Sequence, residues 1–252
     1  MSYKVPVEDI NFNLKTMGLL EQVQNLSGFE EITEDLVDAV IEENSRLVEE
    51  EIAPLNSVGD LDHPICTNGE VKLSKGFKEA LALFSEGGWQ ALQHAPEYGG
   101  QGFPKLLATV LAENLNAANM AFALCPVLTD GCIEAITQAG TDEQKQCFIP
   151  PMVEGRWTGT MNLTEPQAGS DLALLKAKAV RQDDGSYRIS GQKIFITWGE
   201  HDGAENIIHL VLARTPDAPQ GVKGISLFVV PKFLLNEDGS LGKRNDVFCA
   251  SL

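Results

Sequence analysis

The chain is poor in basic residues. Its 252 residues include 19 Lys and Arg against 36 Asp and Glu, which gives a formal net charge of −17. Clustered positive charge is what binds nucleic acids and anionic membrane surfaces, so this composition argues against both partners. Residues 1–150 hold 8 basic and 24 acidic residues, whereas residues 151–252 hold 11 and 12. The second part is the better place for an anionic ligand, although soluble acidic helices explain the asymmetry equally well.

Paired cysteines and long apolar runs are also missing. None of the five cysteines forms a C-x-x-C pair, which argues against a disulfide framework and a zinc ribbon. We therefore expect a reducing, cytoplasmic compartment. The first residues lack a positive region followed by an apolar core, so no signal peptide is predicted. The longest apolar run, Met120–Leu128, is far shorter than the ~20 residues of a membrane-spanning helix, and no membrane span is expected.

The glycine patterns of common nucleotide-binding folds are absent as well. Neither G-x-G-x-x-G nor a Walker A loop occurs, so a Rossmann or P-loop fold has no support. Up to about residue 155, apolar residues recur at helical spacing. They predict helices over 33–52 (capped by Thr33 and ended by Pro54), over Lys75–Glu86, twice within Pro104–Ala139, and from Thr141 to Pro150. Residues 1–30 are predicted as an arm or short helix, and Asn56–Gly69 and Tyr98–Gly102 as loops.

After Gly155 the apolar period changes from 3.6 to 2, which predicts strands. Asp184-Gly185 is typical of a hairpin turn. No strand is followed by a crossover helix, so the fold class is α+β, with a helical domain over residues 1–155 and a β-domain over residues 156–252. The predicted strands are Trp157–Leu163, Lys176–Arg181, Tyr187–Ser190, Lys193–Thr197, Ile207–Arg214 and Ile225–Val230.

The segment Met161–Leu172 is the most informative part of the sequence. A strand is predicted to end at Leu163 and to enter a turn rich in proline, glycine and hydroxyl side chains. Small residues in such a turn let backbone N–H groups face an anion, so the turn could hold a phosphate or the polar edge of a heteroaromatic ring. From the residues alone, an ordinary strand-to-loop turn is the favoured interpretation, because Ser, Gly and Pro are common in turns.

Two motifs resemble those of the acyl-CoA dehydrogenase family. The string TEPQAGSD, from Thr164 to Asp171, is similar to the family signature T-E-P-x-A-G-S-D. The string KIFIT, from Lys193 to Thr197, is similar to the second family motif, K-x-[WF]-I-T. The flanking strings TDEQKQCFIPPMVEG and EYGGQG extend the resemblance over nearly the whole chain. The resemblance implies an all-α domain followed by an antiparallel β-barrel-like domain. It also implies FAD-dependent α,β-dehydrogenation of an acyl-CoA thioester to the enoyl-CoA.

The resemblance also implies roles for residues of the signature. Met161 and Leu163 would line the flavin, and Thr164 would hydrogen-bond the pyrimidine edge of its isoalloxazine ring. Gly169 and Ser170 would hold the FAD pyrophosphate or the CoA arm, which makes Ser170 a candidate substrate-binding residue.

In the second motif, the resemblance implies that Phe195 stacks on the flavin. Thr197 would bond near the flavin N5, the atom that accepts hydride from the acyl β-carbon. Three residues depart from the common family pattern: Asn162, Leu174 and Trp198 stand where smaller residues are usual. They put the shape of the acyl pocket in doubt rather than the binding of FAD.

The family's C-terminal helical bundle has no counterpart in the sequence. The resemblance implies that this bundle supplies the Glu that removes the α-proton, and no residue here matches it, so no catalytic base is assigned. We expect a truncated part of the enzyme, inactive alone. The alternative is a non-catalytic FAD- or CoA-binding module or a subunit completed by a partner chain. An electron-transfer flavoprotein or similar acceptor and a homo-oligomeric full-length enzyme are also implied.

A narrower resemblance involves the opening YKVPVEDINFNL, the loop PLNSVGD and the run from His201 to Lys232. These stretches are similar to a long subgroup of the family with an N-terminal extension, which includes 3-methylmercaptopropionyl-CoA dehydrogenases. Acyl-chain specificity does not follow from this likeness.

Other polar groups are interpreted as structural. Five residues of one segment could suggest a metal site, but no spacing places three of them on one face, so a polar loop between strands is favoured. Glu165 and Asp171 are predicted to fix the signature turn rather than to form a catalytic pair. His63 and His94 are predicted to be surface or loop residues. The five residues that could suggest a metal site are Glu200, His201, Asp202, Glu205 and His209.

Overall fold

The computed structural model describes residues 3–252. Seven α-helices precede most of the strands, and α3 continues into a π-helical turn, Val48–Ile52. The helices are α1 (Val7–Thr16), α2 (Leu19–Gln24), α3 (Glu34–Leu47), α4 (Leu55–Leu61), α5 (Phe77–Glu86), α6 (Lys105–Ala139) and α7 (Asp142–Val153). The strands are β1 (Ile65–Thr67), β2 (Glu70–Lys72), β3 (Trp157–Asn162), β4 (Lys178–Arg181), β5 (Tyr187–Ser190), β6 (Asn206–Ala213), β7 (Ser226–Pro231), β8 (Phe233–Leu235) and β9 (Leu241–Arg244).

Side-chain caps start two of the helices where the sequence predicts them. The Thr33 hydroxyl accepts a hydrogen bond from the N–H of Leu36 and begins α3. At α7, Thr141 and Gln144 form the predicted reciprocal capping box. These bonds satisfy N–H groups that have no partner within the helix, so the caps fix where each helix begins.

The long helix α6 bends in its middle. Asn119 has non-helical angles (φ −157°, ψ 90°), and its side-chain oxygen accepts from the N–H of Phe122 at 3.1 Å. The two helices predicted within Pro104–Ala139 are the two halves of this kinked helix. Among residues 3–252, α6 alone has the length and apolar composition of a membrane span. Its contacts with β3 and α7 make it a core helix of this fold.

Two predicted element ends differ from the structure. The helix α7 continues through Pro150 to Val153, and the Pro150 carbonyl still accepts from the N–H of Glu154 at 2.9 Å. The predicted loop Asn56–Gly69 instead contains the short helix α4 and the strand β1, which pairs with β2. Its Asp, Asn and Gly residues mark the turns between these short elements rather than one irregular segment.

The strands after residue 156 form one three-stranded sheet and two antiparallel pairs. In the sheet, β6 lies between β3 and β7; it pairs parallel with β3 and antiparallel with β7. The pair β4–β5 is the predicted hairpin, with Gly185 at φ +86° in its turn. The α+β class is confirmed, and the parallel β3–β6 pair adds to the predicted antiparallel pairing. The division into domains 1–155 and 156–252 stays a prediction.

One predicted strand is absent. Residues Lys193–Thr197 belong to no strand, and Phe195 takes a left-handed backbone conformation with φ +58°. A single backbone bond, from the N–H of Ile194 to the carbonyl of Thr164 at 2.9 Å, joins this segment to the signature. Alternating apolar residues predict an extended chain, but they do not say whether a continuous partner strand is available.

The sheet packs against the second half of α6 at a close approach. A Cβ on Gly159 would lie 2.4 Å from the Cβ of Cys132, so only glycine fits there. The Gly159 N–H also donates to the Thr129 hydroxyl at 3.0 Å. Buried apolar side chains from α6, α7, β3 and β6 form one core cluster around this contact. The end of β3, where the signature begins, is therefore fixed relative to the helices.

Candidate functional site

The signature begins where β3 leaves the sheet. The last paired residue of β3 is Asn162, opposite Val211 of β6. Met161 and Leu163 are partly buried at this end of the strand. The chain then forms a tight turn in which Glu165 and Ala168 exchange backbone hydrogen bonds of 2.8 and 3.0 Å. The predicted strand-to-turn transition at Leu163 is thus observed.

Beyond the tight turn, the chain exposes small residues. Gly169 and Ser170 are exposed, and a Cβ on Gly169 would meet only the Cγ2 of Thr164, at 3.7 Å. Asp171 accepts from the N–H of Ala173 at 3.0 Å, so its carboxylate caps the following turn, as predicted. Thr164, Gly169 and Ser170 are therefore close to one another at the accessible side of the turn.

Glu165 is the fixed centre of the turn. Its buried carboxylate accepts from the N–H groups of Lys176 and Ala177, at 2.7 and 3.0 Å. It also accepts from the side chains of Gln167 and Lys193, at 2.6 and 2.9 Å. Burial by itself would raise the pKa of Glu165, but the hydrogen bonds from these four partners outweigh it and lower the pKa. The carboxylate stays ionised and holds the turn, so it is a structural group.

Lys193 brings the second motif to the signature. Its Nζ contacts the carboxylate of Glu165 at 2.9 Å and the carbonyl of Leu163 at 3.1 Å. Together with the bond from Ile194 to Thr164, these contacts place the two motifs side by side. We did not assign Lys193 a role from the sequence; its signal was its place as the first residue of the second motif.

Phe195 is the third residue of the second motif, and its side chain points into solvent. Its side chain is 88% exposed, although its neighbour Ile194 is bonded to the signature. A large exposed aromatic side chain on a strained left-handed backbone is uncommon, and such strain is concentrated at functional sites. Phe195 thus presents an exposed aromatic side chain one residue after the bond from Ile194 to Thr164.

Thr197 lies two residues after Phe195. It is exposed, within a turn closed by a bond from the N–H of Gly199 to the carbonyl of Ile196 at 3.2 Å. The structure thus brings Met161, Leu163, Thr164, Gly169, Ser170 and Phe195 to one region, whereas no hydrogen bond joins Thr197 directly to the signature among residues 3–252.

Trp198 anchors the same loop to the helices. Its indole N–H donates to the carbonyl of Ala121 at 2.8 Å, next to the kink of α6. Its ring lies 6.3 Å from that of Phe77 and 5.1 Å from that of His201. The sequence marked this residue only as a departure from the family pattern, and the structure shows that its size bridges the loop and the helical core.

The histidines have structural partners. His201 and His209 are buried and bond Thr158 and Thr160, at 3.0 and 2.7 Å. Burial, followed by the charge of Lys232, lowers the pKa of His201 to about 3 and that of His209 to about 4. Among residues 3–252, no group of three or more His, Cys, Asp or Glu side chains could hold a metal ion. The predicted polar loop between strands does not include His209, which lies in β6.

His94 corrects one prediction. It lies in a loop, one of the two predicted positions, but it is 5% exposed and 2.8 Å from Asp130, whereas the sequence predicted no partner. Asp130 comes from α6, 36 residues away, so local sequence could not reveal the pair.

The arrangement fits a planar heteroaromatic ligand with an attached anion. Phe195 offers an aromatic face, and the hydroxyls of Thr164, Ser170 and Thr197 are accessible and make no hydrogen bond within residues 3–252. Gly169 leaves space for close approach to the backbone. The buried carboxylate of Glu165 is neutralised by Lys193, so it does not repel an anion strongly. FAD, as implied by the motifs, has this combination of groups.

Comparisons with known proteins match both parts of the chain. The family model of the acyl-CoA dehydrogenase N-terminal domain matches residues 37–156, and that of the middle domain matches residues 160–245. The chain is 51% identical over 252 residues to 3-methylmercaptopropionyl-CoA dehydrogenase of Ruegeria pomeroyi, covering 100% of this chain and 43% of the relative. It is 37% identical over 254 residues to the broad-specificity linear acyl-CoA dehydrogenase FadE5 of Mycobacterium tuberculosis, covering 99% and 41%.

Solved structures agree. The fold is similar to butyryl-CoA dehydrogenase from Megasphaera elsdenii, with a TM-score of 0.62, 30% identity, and coverage of 79% of this chain and 49% of that chain. The chain thus spans less than half the length of these relatives. The two matched domain models and the whole-chain identity place this chain in the acyl-CoA dehydrogenase family.

Proposed function

We propose that this chain supplies the FAD-binding face of an enzyme that oxidises an acyl-CoA thioester to the α,β-unsaturated enoyl-CoA. The contact between Lys193 and Glu165 carries the proposal, because it holds the two family motifs side by side. The family is FAD-dependent by the resemblance, and the whole-chain relatives are named as acyl-CoA dehydrogenases.

Each site residue is proposed to position one part of the cofactor. Phe195 would stack on the isoalloxazine, while Met161 and Leu163 would line it and Thr164 would hydrogen-bond its pyrimidine edge. Gly169 and Ser170 would face the pyrophosphate or the CoA arm, since they are the exposed small residues of the turn. Thr197 would bond near N5, as the resemblance implies.

The reaction removes a proton from the α-carbon and a hydride from the β-carbon. Bound FAD supplies the hydride acceptor. The residues of this chain orient that acceptor and shield it from water, because redox chemistry is carried by the cofactor and the protein supplies position and polarity. We assign the base to a Glu outside residues 1–252, since the resemblance implies one and no residue here matches it. General-base catalysis typically contributes about 10²–10⁴ in rate, so turnover requires that group.

Substrate, partners and compartment belong to the same proposal. The 51% identity to a 3-methylmercaptopropionyl-CoA dehydrogenase favours a short acyl-CoA, and the FadE5 likeness favours linear chains more generally. Electrons would leave through an electron-transfer flavoprotein or similar acceptor. The whole enzyme would be a cytoplasmic homo-oligomer.

The alternative is a non-catalytic FAD- or CoA-binding module, or a subunit completed by a partner chain. This alternative retains the same proposed flavin site. The reason to consider it is that the chain, over its whole length, matches only 43% of a relative. Turnover that appears only after a second chain is added would favour the subunit.

The experiment compares residues 1–252 with the corresponding full-length protein. FAD is titrated into each and followed by flavin fluorescence, and turnover of several acyl-CoA chain lengths is assayed with an artificial electron acceptor. We expect weak FAD binding and no turnover for residues 1–252, and both for the full-length protein. Turnover by residues 1–252 alone would place a base within them and contradict the proposal. A full-length protein that neither binds FAD nor oxidises acyl-CoA would contradict the function itself.

A further inference from the structure

Two cysteines from distant parts of the chain meet at one surface. Cys66 lies in β1, and Cys249 lies after β9, 183 residues later. The Sγ of Cys66 is 3.9 Å from the carbonyl oxygen of Cys249, and the Sγ of Cys249 donates to the carbonyl of Ser251 at 3.2 Å. Both side chains are partly exposed. The pair therefore combines close approach of the two residues with access for a small reagent from solvent.

The backbone around the pair is held in place. The Cys249 N–H donates to the carbonyl of Gly69 at 3.1 Å. Gly69 has φ +83°, and a Cβ there would lie 3.0 Å from the Cβ of Phe248, so the ring of Phe248 packs closely on the β1–β2 turn. In addition, Arg244 of β9 lies 3.6 Å from Glu70 of β2. These contacts hold the two backbone segments that carry Cys66 and Cys249 next to each other.

The other cysteines differ. Cys125 and Cys132 are buried, and burial raises the pKa of both, that of Cys132 to about 12. Cys147 is exposed on α7, far along the chain from either member of the pair. Burial also raises the pKa of Cys249, but Cys249 and Cys66 are partly exposed, so a reagent reaches them, whereas the two buried thiols are shielded.

We propose that Cys66 and Cys249 are a redox modification site that closes to an intramolecular disulfide under a peroxide oxidant. One thiolate attacks a peroxide oxygen, which breaks the O–O bond, gives a sulfenic acid and releases hydroxide. The second thiol then attacks the sulfenic sulfur, the S–S bond forms and water leaves. In sum, two thiols and one hydrogen peroxide give one disulfide and two waters.

The crosslink would join the β1–β2 hairpin to the segment that follows β9. In a reducing compartment it would be transient, as most cytosolic disulfides are. It is separate from the proposed flavin site, which contains neither cysteine. Closing a loop of 183 residues restricts the unfolded chain, so the oxidised form should unfold about 5–10 °C higher than the reduced form.

The test treats residues 1–252 with equimolar hydrogen peroxide and maps the cysteines by peptide mass spectrometry. We expect a monomer that has lost two of its five thiols and contains a Cys66–Cys249 crosslinked peptide, which dithiothreitol reverses. Cys66→Ser and Cys249→Ser should each abolish the crosslinked peptide and the rise in unfolding temperature. Cys147→Ser is the matched control and should keep both.

Oxidised wild-type protein without the crosslinked peptide would overturn the proposal, whether the thiols stay free or form disulfides between chains through Cys147. This mapping needs no variant, so a serine variant that fails to fold does not leave the question open. Because FAD plays no part in the assay, its outcome is also independent of the proposed function.

Discussion

The ammonium of Lys193 lies 2.9 Å from the carboxylate of Glu165, with both side chains buried and the two residues 28 positions apart in the chain. The pair is the main polar link between the two motifs. A buried ion pair of this kind costs more when it is broken than it contributes when it forms, because the remaining charge has no solvent. The position of the signature turn therefore depends on a residue outside it.

Replacement of Lys193 tests this link. We expect Lys193→Met to lower the free energy of unfolding by about 3 kcal/mol, since it leaves the buried Glu165 carboxylate without its cation. Urea unfolding followed by circular dichroism measures the change. The double variant Lys193→Met/Glu165→Gln should recover part of the loss. As a control, Lys145→Met removes a surface pair with the exposed Asp142 and should have little effect. Equal losses for Lys193→Met and Lys145→Met would contradict the prediction.

Glu165 should also make the protein sensitive to acid. Its pKa in the folded state is lowered from the ordinary 4.5, so the folded state favours the ionised form. The resulting stabilisation is complete above pH 4.5 and is lost as the pH falls through the folded-state pKa. Unfolding free energies of wild type and Glu165→Gln, measured between pH 7 and pH 3, should therefore converge at low pH. A constant difference across that range would show that Glu165 does not titrate in this way.

His209 should contribute a separate pH dependence of stability, which begins at a higher pH than that of Glu165. Its folded-state pKa is about 4 against the ordinary 6.5, because burial disfavours the charged ring. The unfolded chain takes up this proton first, so stability falls as the pH drops from 6.5 toward 4 and is unaffected above it. Between pH 6 and pH 5, His209→Gln should reduce the slope of unfolding free energy by about 1 kcal/mol per pH unit. A slope equal to that of the wild type would contradict the prediction.

The contact between the sheet and α6 leaves no space for a methyl group. Gly159→Ala should lower the free energy of unfolding by about 1–3 kcal/mol, because the new Cβ would lie 2.4 Å from that of Cys132. Gly131→Ala, in the same region of α6, has no atom within 4 Å of its new Cβ and should be neutral or stabilising by up to about 1 kcal/mol. Thermal unfolding of both variants measures the contrast. Similar midpoints would mean that the close approach is relaxed in solution.

Phe195 is predicted to matter for the flavin and not for folding. The side chain is 88% exposed, so Phe195→Ala should leave the unfolding midpoint nearly unchanged. In the full-length protein the same change should weaken FAD binding by roughly tenfold, the equivalent of about 1.4 kcal/mol of lost aromatic contact. Phe12→Ala removes another exposed aromatic side chain, in α1, and should leave FAD affinity unaltered. Equal FAD affinities for the Phe195 and Phe12 variants would remove Phe195 from the site.

The local elements follow directly from the sequence. The Thr33 and Thr141 caps, the Asp184-Gly185 hairpin and the change from helical to strand period near residue 155 are all observed. Each depends on interactions between residues a few positions apart, so each can be predicted from the local sequence. The family motifs also fixed the candidate site, because they name residue types at set spacings.

Tertiary structure decided the rest. The strand predicted at Lys193–Thr197 is a loop with a single backbone bond to the signature, at Thr164, and His94, predicted as a surface or loop residue, is buried against Asp130. The parallel pairing of β3 with β6 and the contact of Cys66 with Cys249 join residues 49 and 183 positions apart. Such contacts depend on which residues, distant in the chain, pack together in the folded structure. No local pattern of apolar and polar residues contains that information.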